Sequence, residues 1–137
     1  MSLFESPHIV ITCDQKLKAL ITTWRGRPSD EEFARCIDKI LEVLKEQSLH
    51  KILNDTRSLE PISLEAQQYV ADTVTRFVQY YPFKQAHLLS KDAFVRFSVT
   101  NFDHLVREQG GNVNEIFDDE TEARRWLKSQ KVSGSFF

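Results

Sequence analysis

Two cysteines, four glycines and four prolines are all that 137 residues contain, and each shortage removes a class of protein. Cys13 and Cys36 are too few and too far apart for a disulfide framework or a zinc site. Each falls in an apolar-periodic segment, where a free thiol packs as a small hydrophobe. The glycines, at positions 26, 110, 111 and 134, form no Gly-rich phosphate loop. Neither sign of charge dominates: 18 basic and 20 acidic residues leave a net charge of −2, so nothing draws the chain broadly toward nucleic acid or an anionic membrane. The one basic cluster, Arg124, Arg125, Lys128 and Lys131, spreads along a terminal helix and reads as a solvated face. No apolar run approaches bilayer thickness, so no integral membrane segment is expected. Met1–Ser6 lacks the basic-then-apolar order of a secretory signal, and a cytoplasmic location is the expectation. His8, His50, His87 and His104 are scattered, with no paired metal-ligand spacing and no nucleophile elbow. The sequence therefore nominates no catalytic residue, no metal and no cofactor, and the chain is expected not to be an enzyme.

What is present is core material. Ten Phe and two Trp in a chain of this length supply one self-sufficient core, over residues 1–130 as a single domain, with 131–137 as a flexible tail. Ile9, Ile11 and Cys13 alternate with polar neighbours, as do Leu17, Ala19 and Ile21 beyond the turn Asp14-Gln15-Lys16, which predicts an N-terminal β-hairpin. After Pro28, Ser29-Asp30-Glu31-Glu32 fits a capping box, and Phe33, Ile37, Ile40, Leu41 and Leu44 follow at helical spacing. Ile52 and Leu53 form a short strand that ends at Asn54-Asp55. Ser63 caps a second helix with the stripe Ala66, Val70, Val74, Phe77 and Tyr81. Ala86–Leu89 is a strand. Phe94, Phe97, Phe102, Leu105 and Val106 mark a third helix, closed by Gly110-Gly111. Val113, Ile116 and Phe117 mark a last strand, before a helix with Ala123, Trp126 and Leu127. The order β-β-α-β-α-β-α-β-α predicts an α/β domain with a mixed sheet of about five strands, an N-terminal hairpin and four helices.

Two constellations are candidates for function. Asn54, Asp55, Thr56, Arg57 and Ser58, with Ser63 and Glu65 beyond them, are expected as an interaction loop at the carboxyl end of an inner strand. Ligands and partners gather there in open α/β sheets, beside helix N-termini with unpaired amides, and Arg57 could neutralise an anion. The second is aromatic: Phe77, Tyr81, Phe94 and Phe97 could border an apolar pocket for a lipid-like small molecule.

The run Ile52-Leu53-Asn54-Asp55 with Leu59 and Ile62, and the close Ile116-Phe117-Asp118-Asp119 with Glu122-Ala123 and Trp126-Leu127, resemble STAS-like domains. They resemble in particular the SpoIIAA-like group related to bacterial anti-sigma-factor antagonists. The resemblance spans roughly residues 8–128 in element order. It implies a mixed sheet flanked by helices, no cofactor, and an unidentified protein partner in bacterial signalling or regulation, with homodimerisation left open. The chain departs from the family at its switch. Where antagonists carry Asp-Ser-Ser-Gly and phosphorylate the second hydroxyl, this chain has Ser63-Leu64-Glu65-Ala66. Glu65 cannot be phosphorylated, so a non-enzymatic binding module without the usual phosphoserine switch is expected. A carrier or sensor of an apolar ligand is the alternative.

Overall fold

A computed structural model describes residues 2–110 and 113–131. The described residues form six strands and four helices, in the order β1 (Ser2–Ser6), β2 (Ile9–Asp14), β3 (Ala19–Gly26), α1 (Asp30–Glu46), β4 (Lys51–Leu59), α2 (Leu64–Val78), β5 (Lys84–Leu88), α3 (Ala93–Glu108), β6 (Asn114–Phe117) and α4 (Glu120–Ser129). They build one sheet in the order β1-β2-β3-β4-β5-β6. The first three strands pair antiparallel and the last three pairings are parallel. The expected α/β class, the opening hairpin and the four helices are all present, and the sheet has six strands instead of about five.

Caps set the helix starts. Ser29 accepts from the amide of Glu32, but the Glu32 carboxylate meets His8 Nδ1 at 2.7 Å, so it is drawn to β2's neighbourhood. Ser63 accepts from the amide of Ala66, and Asp92 from those of Phe94 and Val95. Each satisfies a backbone donor that the first helical turn would otherwise leave unpaired. The hairpin turn is closed by the Leu17 amide on Asp14 Oδ1 at 2.9 Å.

Successive right-handed crossovers along a sheet that grows in one direction put α1, α2 and α3 on one face. There Ile9, Ile11, Leu20, Trp24 and Ile52 meet the buried stripes of the helices. The opposite face carries a smaller core, in which Leu17, Ala19, Leu53, Ala86 and Leu88 pack against Ala123 and Leu127 of α4. Trp126 is only half-buried and tilts against Phe117, ring centroids 5.8 Å apart; the fully buried Leu127 anchors α4 instead.

The largest correction concerns β4. It does not stop at Asn54-Asp55 but runs nine residues to Leu59, so Asn54–Ser58 is strand, not loop. Its polar residues are used inward. Thr56 is buried and donates to the Leu88 carbonyl at 2.6 Å. The strand lies inside the sheet, between β3 and β5. Of the expected tail, residues 132–137 lie outside the described residues, as does Gly111 of the expected helix stop. Gly110 does take the left-handed conformation, at φ 88°.

Candidate functional site

The carboxyl ends of β4 and β5 lead into the N-termini of α2 and α3, and this corner gathers the residues best placed to meet a partner. The two helices are tied together there by polar contacts. Ile62, just ahead of α2, receives Gln67 Nε2 at 3.1 Å and Ser98 Oγ of α3 at 3.5 Å through its carbonyl. Asn101 Nδ2 donates to Gln67 Oε1 at 2.5 Å. Ser98 is thus held against Ile62, and near the starts of the same two helices lie Leu64 of α2 and Phe94 and Phe97 of α3. All three are exposed: Leu64 64%, Phe94 74% and Phe97 61%. The inward stripe of α3 is instead Val95, Val99, Phe102 and Val106, so the two Phe rings are left to solvent.

The sequence-derived aromatic pocket is therefore not assembled. Phe77 and Tyr81 lie at the other end of α2, where their rings tilt against each other at 5.6 Å and Phe77 meets Phe83 edge-on. The Tyr81 hydroxyl donates to the Leu49 carbonyl at 2.7 Å. Phe94 and Phe97 belong to the opposite corner. A 15-residue helix is about 22 Å long, too far for the four rings to enclose one ligand.

The polar candidates divide as well. Thr56 is interior and unavailable to a partner. Asp55 and Arg57 point to the α4 side. Arg57 grips Asp55 through Nε and Nη2, at 3.0 and 2.8 Å, and reaches Glu120 Oε1 at 3.0 Å. Burial pushes the Asp55 carboxyl up, but the Arg57 bonds outweigh it and hold it below its ordinary range. Glu120 in turn bonds Arg124, which reaches Asp14. Arg57 is thus committed to an internal chain of ion pairs that fastens α4, not left free for an anion as its position in sequence suggested. Ser58 is exposed on the strand, and Glu65 is exposed in the first turn of α2.

Ser63 is both cap and donor: its hydroxyl accepts from the Ala66 amide at 3.0 Å and donates to Asp30 Oδ1 at 2.8 Å. Ser63→Ala should lower stability by about 1 kcal/mol, measured by urea unfolding. Ser63→Asp keeps a capping oxygen but sets a second carboxylate against Asp30, so it should recover little of that loss. A phosphate at this position would meet the same repulsion.

Among the described residues no three His, Cys, Asp or Glu side chains come together as a metal site. Burial pushes both the Cys13 and Cys36 thiols up, away from thiolate. The histidines are separately engaged. His8 meets Glu32, His50 meets the Pro82 carbonyl and stacks on Tyr81, and His104 pairs with Glu108.

His87 is part of a buried polar row that the sequence reading did not single out. Trp24 Nε1 and Thr22 Oγ1 donate to Asn54 Oδ1, at 2.8 and 2.7 Å, and Asn54 Nδ2 lies 2.9 Å from His87 Nδ1. The signal was there in principle: polar residues at 54, 56, 85 and 87 recur with the period of two of a strand's inner face.

No helix among the described residues is long and apolar enough to cross a membrane. Neither a protein-family model nor a curated protein matches the chain. Among solved structures it is similar to an uncharacterized protein from the DUF3478 family with a SpoIIAA-like fold, from Shewanella loihica PV-4. The two are 18% identical, with a TM-score of 0.55 over 91% of this chain and 98% of that one. The chain thus has a SpoIIAA-like fold, as the resemblance implied.

Proposed function

We propose that this SpoIIAA-like domain is a non-enzymatic binding module that docks a protein partner through the corner where α2 and α3 begin. One observation carries the reading: Leu64, Phe94 and Phe97 are all exposed near the starts of two helices tied to each other by the Ser98–Ile62 and Asn101–Gln67 contacts. Large apolar side chains grouped on a rigid surface and rimmed by polar residues mark interaction sites, and Phe is enriched at the centres of protein interfaces. The rim here is Glu65, Lys91 and Asp92. The engagement of His8, His50 and His104 and the raised thiols support a role without catalysis. With Glu65 standing where the resembled antagonists carry their phospho-acceptor, docking is constitutive in this respect: no hydroxyl at that position can be switched.

A lipid carrier is the weaker reading, because the interior leaves a cavity of about 50 Å³, well short of the room an acyl chain needs.

The double variant Phe94→Ser/Phe97→Ser should keep the wild-type melting temperature, since surface changes away from caps and core usually stay within about 0.5 kcal/mol. It should lose at least tenfold in capture of the partner that wild-type protein pulls from its own cells. Capture that survives the double change, or an apolar small molecule retained by wild-type protein in native mass spectrometry and no captured protein, would overturn the proposal.

A further inference from the structure

The cavity of about 50 Å³ lies between the sheet and α1–α3. The helices line it with apolar groups, and the strands supply its polar groups, Asn54, Thr56, Gln85 and His87. Three of these four are already satisfied. Asn54 is held by Thr22, Trp24 and His87, Thr56 by the Leu88 carbonyl, and Gln85 donates to Asn114 Oδ1 at 3.0 Å. His87 is 1% exposed, and its Nε2 has no hydrogen-bond partner among the described residues.

The network also fixes what that nitrogen carries. Indole N–H can only donate, so the Asn54 oxygen must face Trp24, and the Asn54 amide nitrogen then faces His87 Nδ1. An amide NH2 can only donate, so Nδ1 accepts, and in the neutral ring the proton sits on Nε2. The imidazolium form would set a donor against a donor. Burial opposes the charged ring as well, holding its pKa down at about 4. Phe102 meets the imidazole edge-to-face at 5.4 Å, and an aromatic face is at best a weak acceptor.

We propose that this cavity is a binding site for a small neutral molecule presenting one oxygen acceptor to the Nε2–H of His87. In such a cavity about 10–15 Å³ already holds one water, so the occupant is of the size of a few waters or a short alcohol or ketone. A charged acceptor is disfavoured because the strand face supplies no cation and the imidazole stays neutral. The site is separate from the exposed Phe94/Phe97 corner and does not depend on docking there.

The test uses ¹⁵N-labelled wild-type protein and NMR. His87 should show a protonated Nε2 and an unprotonated Nδ1. A cross-peak from Nε2–H to a long-lived water would identify solvent as the resident. Acetone, which carries the acceptor, should shift His87 and Phe102 saturably and remove that cross-peak. Xenon, which carries none, should bind about tenfold more weakly, the worth of one hydrogen bond. A water cross-peak without acetone binding would leave the site specific for water and support the acceptor chemistry. Xenon binding as tightly as acetone, or neither a water cross-peak nor saturable shifts, would overturn the proposal. His87→Phe, if it folds, should abolish the preference for acetone; the wild-type comparison decides the matter without it.

Discussion

Asn54→Ala should be among the most destabilising single changes in the molecule, at about 2–5 kcal/mol. The side chain is the hinge of the buried polar row. Its oxygen receives Trp24 Nε1 and Thr22 Oγ1, and its nitrogen serves His87. Thr22 can fall back on the Leu53 carbonyl at 3.5 Å. Trp24, 2% exposed, and His87 have no such alternative among the described residues, and each buried group left without a partner costs about 1–3 kcal/mol. Set against the 5–15 kcal/mol of a typical domain, the loss is a large fraction of the whole. Urea unfolding measures it. Asn54→Asp separates hydrogen bonding from packing: a carboxylate still receives Trp24 and Thr22 but cannot donate to His87. The imidazole should therefore move its proton to Nδ1, a change visible by NMR, and stability should fall between that of Asn54→Ala and that of the natural chain.

Acid should unfold the protein earlier than its carboxylates alone require. The His87 pKa is lowered from 6.5 to about 4, first by burial, while the Asp103 charge on α3 pulls the other way. From β4 the Asn54 amide also opposes the charged ring, and the Phe102 ring on α3 is at best a weak acceptor for it. The folded chain therefore refuses a proton that the unfolded chain accepts below 6.5. The stabilisation is fully present above 6.5 and drains away as the pH falls toward 4, by which point the loss amounts to about 3 kcal/mol. The carboxylates held low by partners, Asp14, Asp55, Asp72 and Glu120, begin to lose their contribution only as the pH falls through the ordinary carboxylate range, and lose it fully below that. Stability measured by urea unfolding at steps from pH 7.5 to 4.5 should slope downward before those groups titrate. A flat profile down to pH 4.5 would show that His87 does not behave as a buried neutral base.

Much of the architecture was legible because it rests on local chemistry. Ser29 and Ser63 announce helix starts through side chains that bond amides three residues on, and the alternation in Ile9–Cys13 and the following strand shows which sides face the core. Three features were not legible, each for a physical reason. β1 hides because as an edge strand it buries little, with only Phe4 and Ser6 half-covered. The second half of β4 hides because its inward residues are polar, and their satisfaction depends on Trp24, His87 and Leu88, which are distant in sequence. On α3 two stripes compete. Phe94, Phe97, Phe102 and Leu105 are bulkier, but the narrower Val95, Val99, Phe102 and Val106 face the sheet. Bulk therefore misdirected the aromatic-pocket reading, and the same misdirection exposes the surface on which the proposed function rests. Arg57 teaches a similar lesson, since its second partner, Glu120, is 63 residues away.

The most direct measurement is site-specific photo-crosslinking in the protein's own cells. A photoreactive residue is placed at Leu64, the exposed first residue of α2, and in a parallel experiment at Tyr80, which is 85% exposed just beyond the far end of α2. The account predicts one defined protein adduct from position 64, none of that protein from position 80, and loss of the adduct when Phe94→Ser/Phe97→Ser is added. The same adduct from both positions, adducts with lipid alone, or a position-64 adduct that survives loss of both Phe rings would contradict it.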